Sequence, residues 1–121
     1  MKFENIDWAD SNIDNIKTSY NCAELYVYND ALQKDFVVKF NGFIGLTNLC
    51  IWDDQIIDYV SVSKVNCETP PEFIQEVFSA YDRNYDYVGR KLGDDILEVN
   101  IRLINNITFS IYCQEIEVED I

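Results

Sequence analysis

Length, composition and charge already restrict what this chain can be. With 121 residues, 48% hydrophobic and 26% charged, the composition excludes intrinsic disorder and predicts one globular domain over residues 1–121. Nine Lys and Arg against 22 Asp and Glu give a net charge of −13, and there is no histidine. This charge disfavours nucleic-acid and anionic-membrane partners, and the missing histidine removes Ser-His-Asp chemistry and most catalytic zinc sites.

Two segments of alternating side chains predict a central β-hairpin. Residues 23–29 and 34–40 each place apolar residues on one face, apart from Val37 on the other, and residues 30–33 between them have the length of a four-residue hairpin loop. Matching the apolar faces sets the register of the two strands. The predicted opposed pairs are Val27 with Phe36, Leu25 with Val38, Glu24 with Lys39, and Tyr28 with Asp35.

Three further strands extend this hairpin into a predicted five-strand meander. Asn41-Gly42 is typical of a two-residue hairpin turn, so it predicts that the next strand pairs back on residues 34–40. Residues 5–15 are rich in Asn, Asp and Ser, and they are compatible with a short helical turn around residues 10–15. The added strands are predicted at 16–20, 43–51 and 56–65, with turns at 21–22 and 52–55.

A single helix is predicted over residues 70–83. Thr69 is the predicted N-cap, two prolines follow in the first turn, and Glu72 occupies the N3 position of a capping box. The apolar side chains recur with helical spacing and form one stripe. They are Phe73, Ile74, Val77, Phe78 and Tyr81.

The last part of the chain predicts a second β-hairpin. The apolar faces of residues 97–103 and 107–113 match only across an odd loop, so we expect three or five loop residues with an Asn in the left-handed conformation. After Cys113 the apolar residues change from odd to even positions. This change predicts a bulge near Gln114 or a crossing to another surface.

The predicted elements add up to an α+β fold. Its antiparallel sheet has about seven strands: a five-strand meander, then the helix, then a β-hairpin. One main helix packs on a face of this sheet. A two-sheet arrangement or a partly closed barrel is the alternative.

The cysteines and the N-terminal residues indicate a compartment. The four cysteines form no C-x-x-C pair, residues 1–5 have no apolar signal region, and no apolar run reaches the ~20 residues of a membrane span. We therefore expect reduced cysteines in a cytoplasmic protein, with Cys50 and Cys113 as core residues.

Metal and catalytic sites are not expected. Asp82, Asn84 and Asp86 are spaced like the start of an EF-hand loop, but Tyr87 and Gly93 replace the required Gly and Glu. The adjacent pairs at 53–54 and 94–95 are ordinary turn residues. The sequence therefore predicts no catalytic residue, no metal and no cofactor.

Acidic and tyrosine residues in three segments are the candidate partner-binding surface. Tyrosine gives rigid contact area with a polar tip, and carboxylates attract Lys and Arg of a basic partner. After the change of phase at Gln114, three glutamates fall on one strand face. The candidate residues are Asp53, Asp54, Tyr85, Asp86, Tyr87, Glu115, Glu117 and Glu119.

In length, acidity and α+β build, the chain resembles bacterial immunity proteins, which bind and block the toxin domain encoded beside them. Gly45 to Ile57, with Trp52-Asp53-Asp54, also looks like stretches of small uncharacterised bacterial proteins. The resemblance implies a non-enzymatic inhibitor, favoured as a monomer, that neutralises a basic toxin. The alternatives are a small-ligand-binding domain with a pocket between helix and curved sheet, a DNA-mimic regulator, and, last, a carboxylate enzyme.

Overall fold

Eight antiparallel strands form two four-stranded sheets in the computed structural model, which describes residues 2–48, 55–66, 68–80 and 95–121. Sheet A has the order β1-β2-β3-β8 and sheet B the order β4-β7-β6-β5. A 3-10 turn spans Phe3–Asn5 and the helix α1 spans Glu72–Ala80. The strands are β1 (Asn12–Ser19), β2 (Cys22–Asn29), β3 (Lys34–Asn41), β4 (Gly45–Thr47), β5 (Ile57–Lys64), β6 (Leu97–Leu103), β7 (Thr108–Cys113) and β8 (Glu115–Asp120).

The predicted α+β fold with one sheet of about seven strands is therefore wrong. The protein is mainly β, and the two-sheet arrangement, which was the alternative, describes it. The helix within the described residues has nine residues and is not a main helix covering one sheet. The error arose where strands change sheets, because a local alternation pattern does not say which strand a segment pairs with.

Two adjacent crossings connect the sheets. At Gly42 (φ 65°) the chain leaves β3, and β4 then pairs with β7 in sheet B instead of returning on β3. The predicted Asn41-Gly42 hairpin is therefore wrong. At Gln114 the chain leaves β7 and enters β8 of sheet A, which explains the change of phase after Cys113 as a crossing. The Gln114 N–H donates to the Asn41 carbonyl (2.9 Å), and a Cβ at Gly42 would lie 2.6 Å from Gln114 Oε1, so the two crossings pack closely against each other.

The two predicted hairpins are confirmed in register. In β2 and β3, Val27 lies opposite Phe36, and Glu24 lies opposite Lys39. The other two predicted pairs, Leu25 with Val38 and Tyr28 with Asp35, are also present. Between β6 and β7, the Leu103 N–H donates to the Ile107 carbonyl (2.8 Å), which leaves a three-residue loop in which Asn106 is left-handed with φ 71°.

One apolar core lies between the sheets. Cys113 is fully buried there, as predicted. Trp8 joins this core from the N-terminal segment, and its Nε1–H donates to the Phe3 carbonyl (2.8 Å). Residues 10–15 do not form the helical turn considered for them, because β1 begins at Asn12. The largest fully buried side chains of the core are Phe36, Phe40, Phe109, Leu25, Ile57, Ile101, Leu103 and Ile111.

The helix starts later than predicted and packs at one end of sheet B. The Gln75 N–H donates to the Pro71 carbonyl (3.1 Å), so Pro71 rather than Thr69 is the N-cap residue, and the predicted capping box is wrong. Ile74 is fully buried, and the Phe73 ring stacks on Tyr112 at 5.3 Å on the outer face of the sheet. The predicted helical residues 81–83 lie outside the described residues.

Candidate interaction surface

The predicted partner-binding residues fall into two groups in the structure. Asp53, Asp54, Tyr85, Asp86 and Tyr87 lie outside the described residues. The other three, Glu115, Glu117 and Glu119, are in β8 and are all exposed, so they form one continuous surface, here called the acidic edge.

The crossing at Gln114 determines where the acidic edge lies. Because the chain changes sheet there, the even-numbered Ile116 and Val118 of β8 pack against the core, and the odd-numbered glutamates face outward. β8 pairs with β3 on one side, and it is an edge strand of sheet A within the described part of the chain. The glutamates therefore stand in a row about 7 Å apart along the rim of the sheet.

Lys39 of β3 forms an ion pair with this row. It lies opposite Glu117 in the register, and its Nζ is 3.2 Å from Glu119 Oε2. The hydrogen bond and the charge of Glu119 raise the pKa of Lys39, so the lysine stays charged across the physiological range. Among the residues that the structure describes, this one ammonium against three carboxylates leaves the acidic edge with an excess negative charge.

The inward side of β8 borders a groove with both apolar and charged lining residues. A cavity of about 260 Å³ lies where the 3-10 turn and the start of β6 approach Ile116. Phe3, Leu97 and Ile116 supply its apolar surface, and Lys2 and Glu4 also line it. β8 thus presents carboxylates on its outward side, and on its inward side it borders a recess that is apolar in part.

A second groove was missed by the sequence analysis. It has a volume of about 300 Å³ and brings Glu4 and Asp7 of the N-terminal segment beside Asp58 of β5. The exposed Tyr59 lies on the same groove, and Asp58 pairs loosely with Arg102 at 3.8 Å. Its residues come from two distant parts of the chain, so the Asp-rich composition of residues 5–15 was the one signal available in the sequence.

The outer face of sheet B holds a hydrogen-bond network beside α1. The Tyr112 hydroxyl donates to Glu98 Oε2 (2.9 Å), the Asn100 amide donates to Glu98 Oε1 (3.0 Å), and the Ser110 hydroxyl donates to Asn100 Oδ1. Burial, followed by the hydrogen bond to Glu98, raises the pKa of Tyr112 to about 12. The phenol therefore stays protonated at neutral pH, and it links the network to α1 through the stacked Phe73 ring.

The described side chains contain no cluster of three or more His, Cys, Asp or Glu that could hold a metal ion. Cys22 lies on the outer face of sheet A, and burial, with a smaller contribution from Glu24, raises the pKa of its thiol and so disfavours the reactive thiolate. Within the same residues, no helix is long and apolar enough to cross a membrane.

Searches against family models, curated proteins and solved structures found no match to this chain.

Proposed function

We propose that the chain is an acidic protein-binding module that captures a basic protein through the acidic edge. The observation that carries this proposal is the row of three exposed carboxylates on β8, an edge strand among the described residues, where the ion pair seen with this row is that of Lys39 with Glu119. A net charge of −13 would steer a basic partner toward the molecule, and the acidic edge would give that partner a defined place to bind.

The specific form we propose is an inhibitor of the immunity type, in which the basic partner is a toxin domain. Its support is the small size, the strong acidity and the exposed acidic edge. A binding protein of this kind needs a rigid surface rather than reactive groups, and two sheets packed on one core supply such rigidity.

Two alternative functions are less well supported by the geometry. In the space between α1 and sheet B, the Phe73 ring stacks on Tyr112 and Ile74 is buried, which disfavours a ligand pocket at that place. On the outer face of sheet A, Lys17 and Lys39 alternate with Glu24 and Glu117 in one row. These alternating signs confine the uniform negative charge to the three glutamates of the acidic edge, and so short a row supports DNA mimicry less well than it supports binding of a basic protein.

The experiment compares the proteins that the tagged chain retains from a native lysate with those retained by a charge-reversed variant. In this variant Glu115, Glu117 and Glu119 are all replaced by Lys. We expect the wild-type chain to retain a basic protein in stoichiometric amount at low salt and to lose most of it at high salt. The charge-reversed variant is expected to retain none of it at either salt concentration.

A second variant separates the acidic edge from net charge alone. It carries Asp14→Lys, Glu68→Lys and Glu76→Lys, three exposed positions outside β8 and β3, so it has the same net charge as the first variant. We expect it to keep the partner. Equal retention by the wild-type chain and both variants would show that the acidic edge is not the binding surface. Equal loss in both variants would show that the overall charge of the protein, and not the acidic edge, accounts for the binding.

A further inference from the structure

The backbone of β8 has hydrogen-bonding groups directed away from the sheet. The Ile121 N–H donates to the Asp35 carbonyl (3.3 Å), and residues of an antiparallel strand point toward and away from their neighbour in alternation. Ile116, Val118 and Asp120 therefore direct their N–H and C=O groups away from β3. Within the described residues, no backbone group is bonded to them.

A strand added at this side would meet two different environments. Its outward side chains would lie beside the acidic edge, at the same two-residue spacing as the three glutamates, with cross-strand Cβ atoms about 5 Å apart. Its inward side chains would lie beside Ile116 and Val118, next to the groove of about 260 Å³ that Phe3 and Leu97 help to line. The best complement is a segment in which basic and apolar residues alternate.

A second copy of this chain does not fit the same place. Pairing β8 with another β8 would set glutamates against glutamates across the new ladder, and like charges opposite each other destabilise a strand pair. Charged edge strands are a common protection against self-association in β proteins. The acidic edge thus disfavours self-pairing, while it favours a basic strand.

We propose that the basic partner binds by strand addition: an extended segment with alternating basic and apolar residues pairs with the open side of β8, placing its basic side chains on the acidic edge and its apolar side chains over the groove. This inference rests on the proposed function and adds the mode of binding and the chemistry of the bound segment. Main-chain hydrogen bonds would supply affinity, and the alternation of side chains would supply specificity.

The test uses labelled synthetic peptides and fluorescence anisotropy at low salt. The parent peptide alternates lysine and valine, and a control of equal composition holds the lysines and valines in separate blocks. Two further peptides are N-methylated, one at every lysine amide and the other at every valine amide. Because successive amides in a strand point to opposite sides, strand addition requires that one methylated peptide bind about tenfold or more weakly than the parent while the other stays within about threefold.

The same measurement also determines the direction of the added strand. Loss of binding on methylation of the valine amides would indicate antiparallel pairing, and loss on methylation of the lysine amides would indicate parallel pairing. We also expect slower amide hydrogen exchange at Ile116, Val118 and Asp120 when the parent peptide is bound, since their N–H groups then become donors.

Several results would overturn strand addition: no binding of the parent peptide, equal binding of the block control, or equal binding of both methylated peptides. If the parent peptide binds and the variant with Glu115, Glu117 and Glu119 replaced by Lys loses that binding, equal binding of the methylated peptides rejects strand addition and leaves the proposed function in place. If that variant binds the parent peptide as the wild-type chain does, the acidic edge is not the binding surface, and both proposals fail.

Discussion

The outer faces of the two sheets are built from different interactions. On sheet A, long charged side chains lie side by side, as Lys39 does with Glu119 at 3.2 Å. On sheet B, part-buried hydrogen bonds join Tyr112 to neighbouring polar side chains, with its hydroxyl 2.9 Å from Glu98, and its ring stacks on Phe73 of α1. Exposed ion pairs contribute little to stability, whereas buried hydrogen bonds and stacked rings contribute more. The comparison indicates that the outer face of sheet B serves the fold, while that of sheet A can change without loss of the fold.

The largest expected effect comes from the core that both sheets share. Phe36 of sheet A is fully buried, so Phe36→Ala should lower the free energy of unfolding by about 3–5 kcal/mol. Phe73 is half-buried between α1 and sheet B, and Phe73→Ala should cost about half as much. Urea denaturation of both variants measures the difference, and equal losses would mean that the helix contact is as central to the fold as the core.

A second variant tests how closely α1 approaches sheet B. A Cβ at Gly45 would lie 2.5 Å from Phe73 Cζ, so Gly45→Ala forces the ring to move and should cost about 1–3 kcal/mol. If the ring is the obstacle, the same substitution made together with Phe73→Ala should cost much less than the sum of the single losses. Additive losses in this double-mutant cycle would place the strain elsewhere.

Sequence alone could predict the parts of this fold that short-range pairing determines. The β2–β3 register follows from alternation across a four-residue loop, and the left-handed Asn106 follows from the need for an odd loop between β6 and β7. Asn41-Gly42 was misread because a tight turn and a crossing to another sheet need the same left-handed glycine. What separates the two is the pairing of β4 with β7, more than sixty residues away in the chain, and no local pattern shows it.

The sequence predicts one part of the candidate site, the acidic edge, and does not predict the groove next to it. The acidic edge was visible as a change of phase after Cys113, because that change alone sets which side of β8 the glutamates occupy. The groove beneath β8 was not visible, since Phe3, Leu97 and Ile116 come from three distant parts of the chain. A surface made by one strand can be read from the sequence, while a recess between elements depends on how they pack.

The hydrogen-bond network of sheet B should make stability depend on alkaline pH. The pKa of Tyr112 is raised from 10.0 to about 12, so the folded protein keeps a proton that the unfolded chain loses above pH 10. The contribution of Tyr112 is therefore complete below pH 10 and lost as the pH rises toward 12. Absorbance titration of the folded protein should show Tyr112 ionising late. Tyr112→Phe should lower stability by about 1 kcal/mol at neutral pH, remove the late step, and flatten the loss of stability between pH 10 and 12.

The smallest effect is expected on the outer face of sheet A. Replacing Glu115, Glu117 and Glu119 together by Gln removes the ion pair with Lys39 but also removes the repulsion among three neighbouring carboxylates. These two changes oppose each other, so the melting temperature should move by no more than about 2–4 °C in either direction. Thermal denaturation at low and high salt measures this shift. A large fall at both salt concentrations would mean that the acidic edge helps to hold β8 on β3, in which case the outer face of sheet A would serve the fold as that of sheet B does.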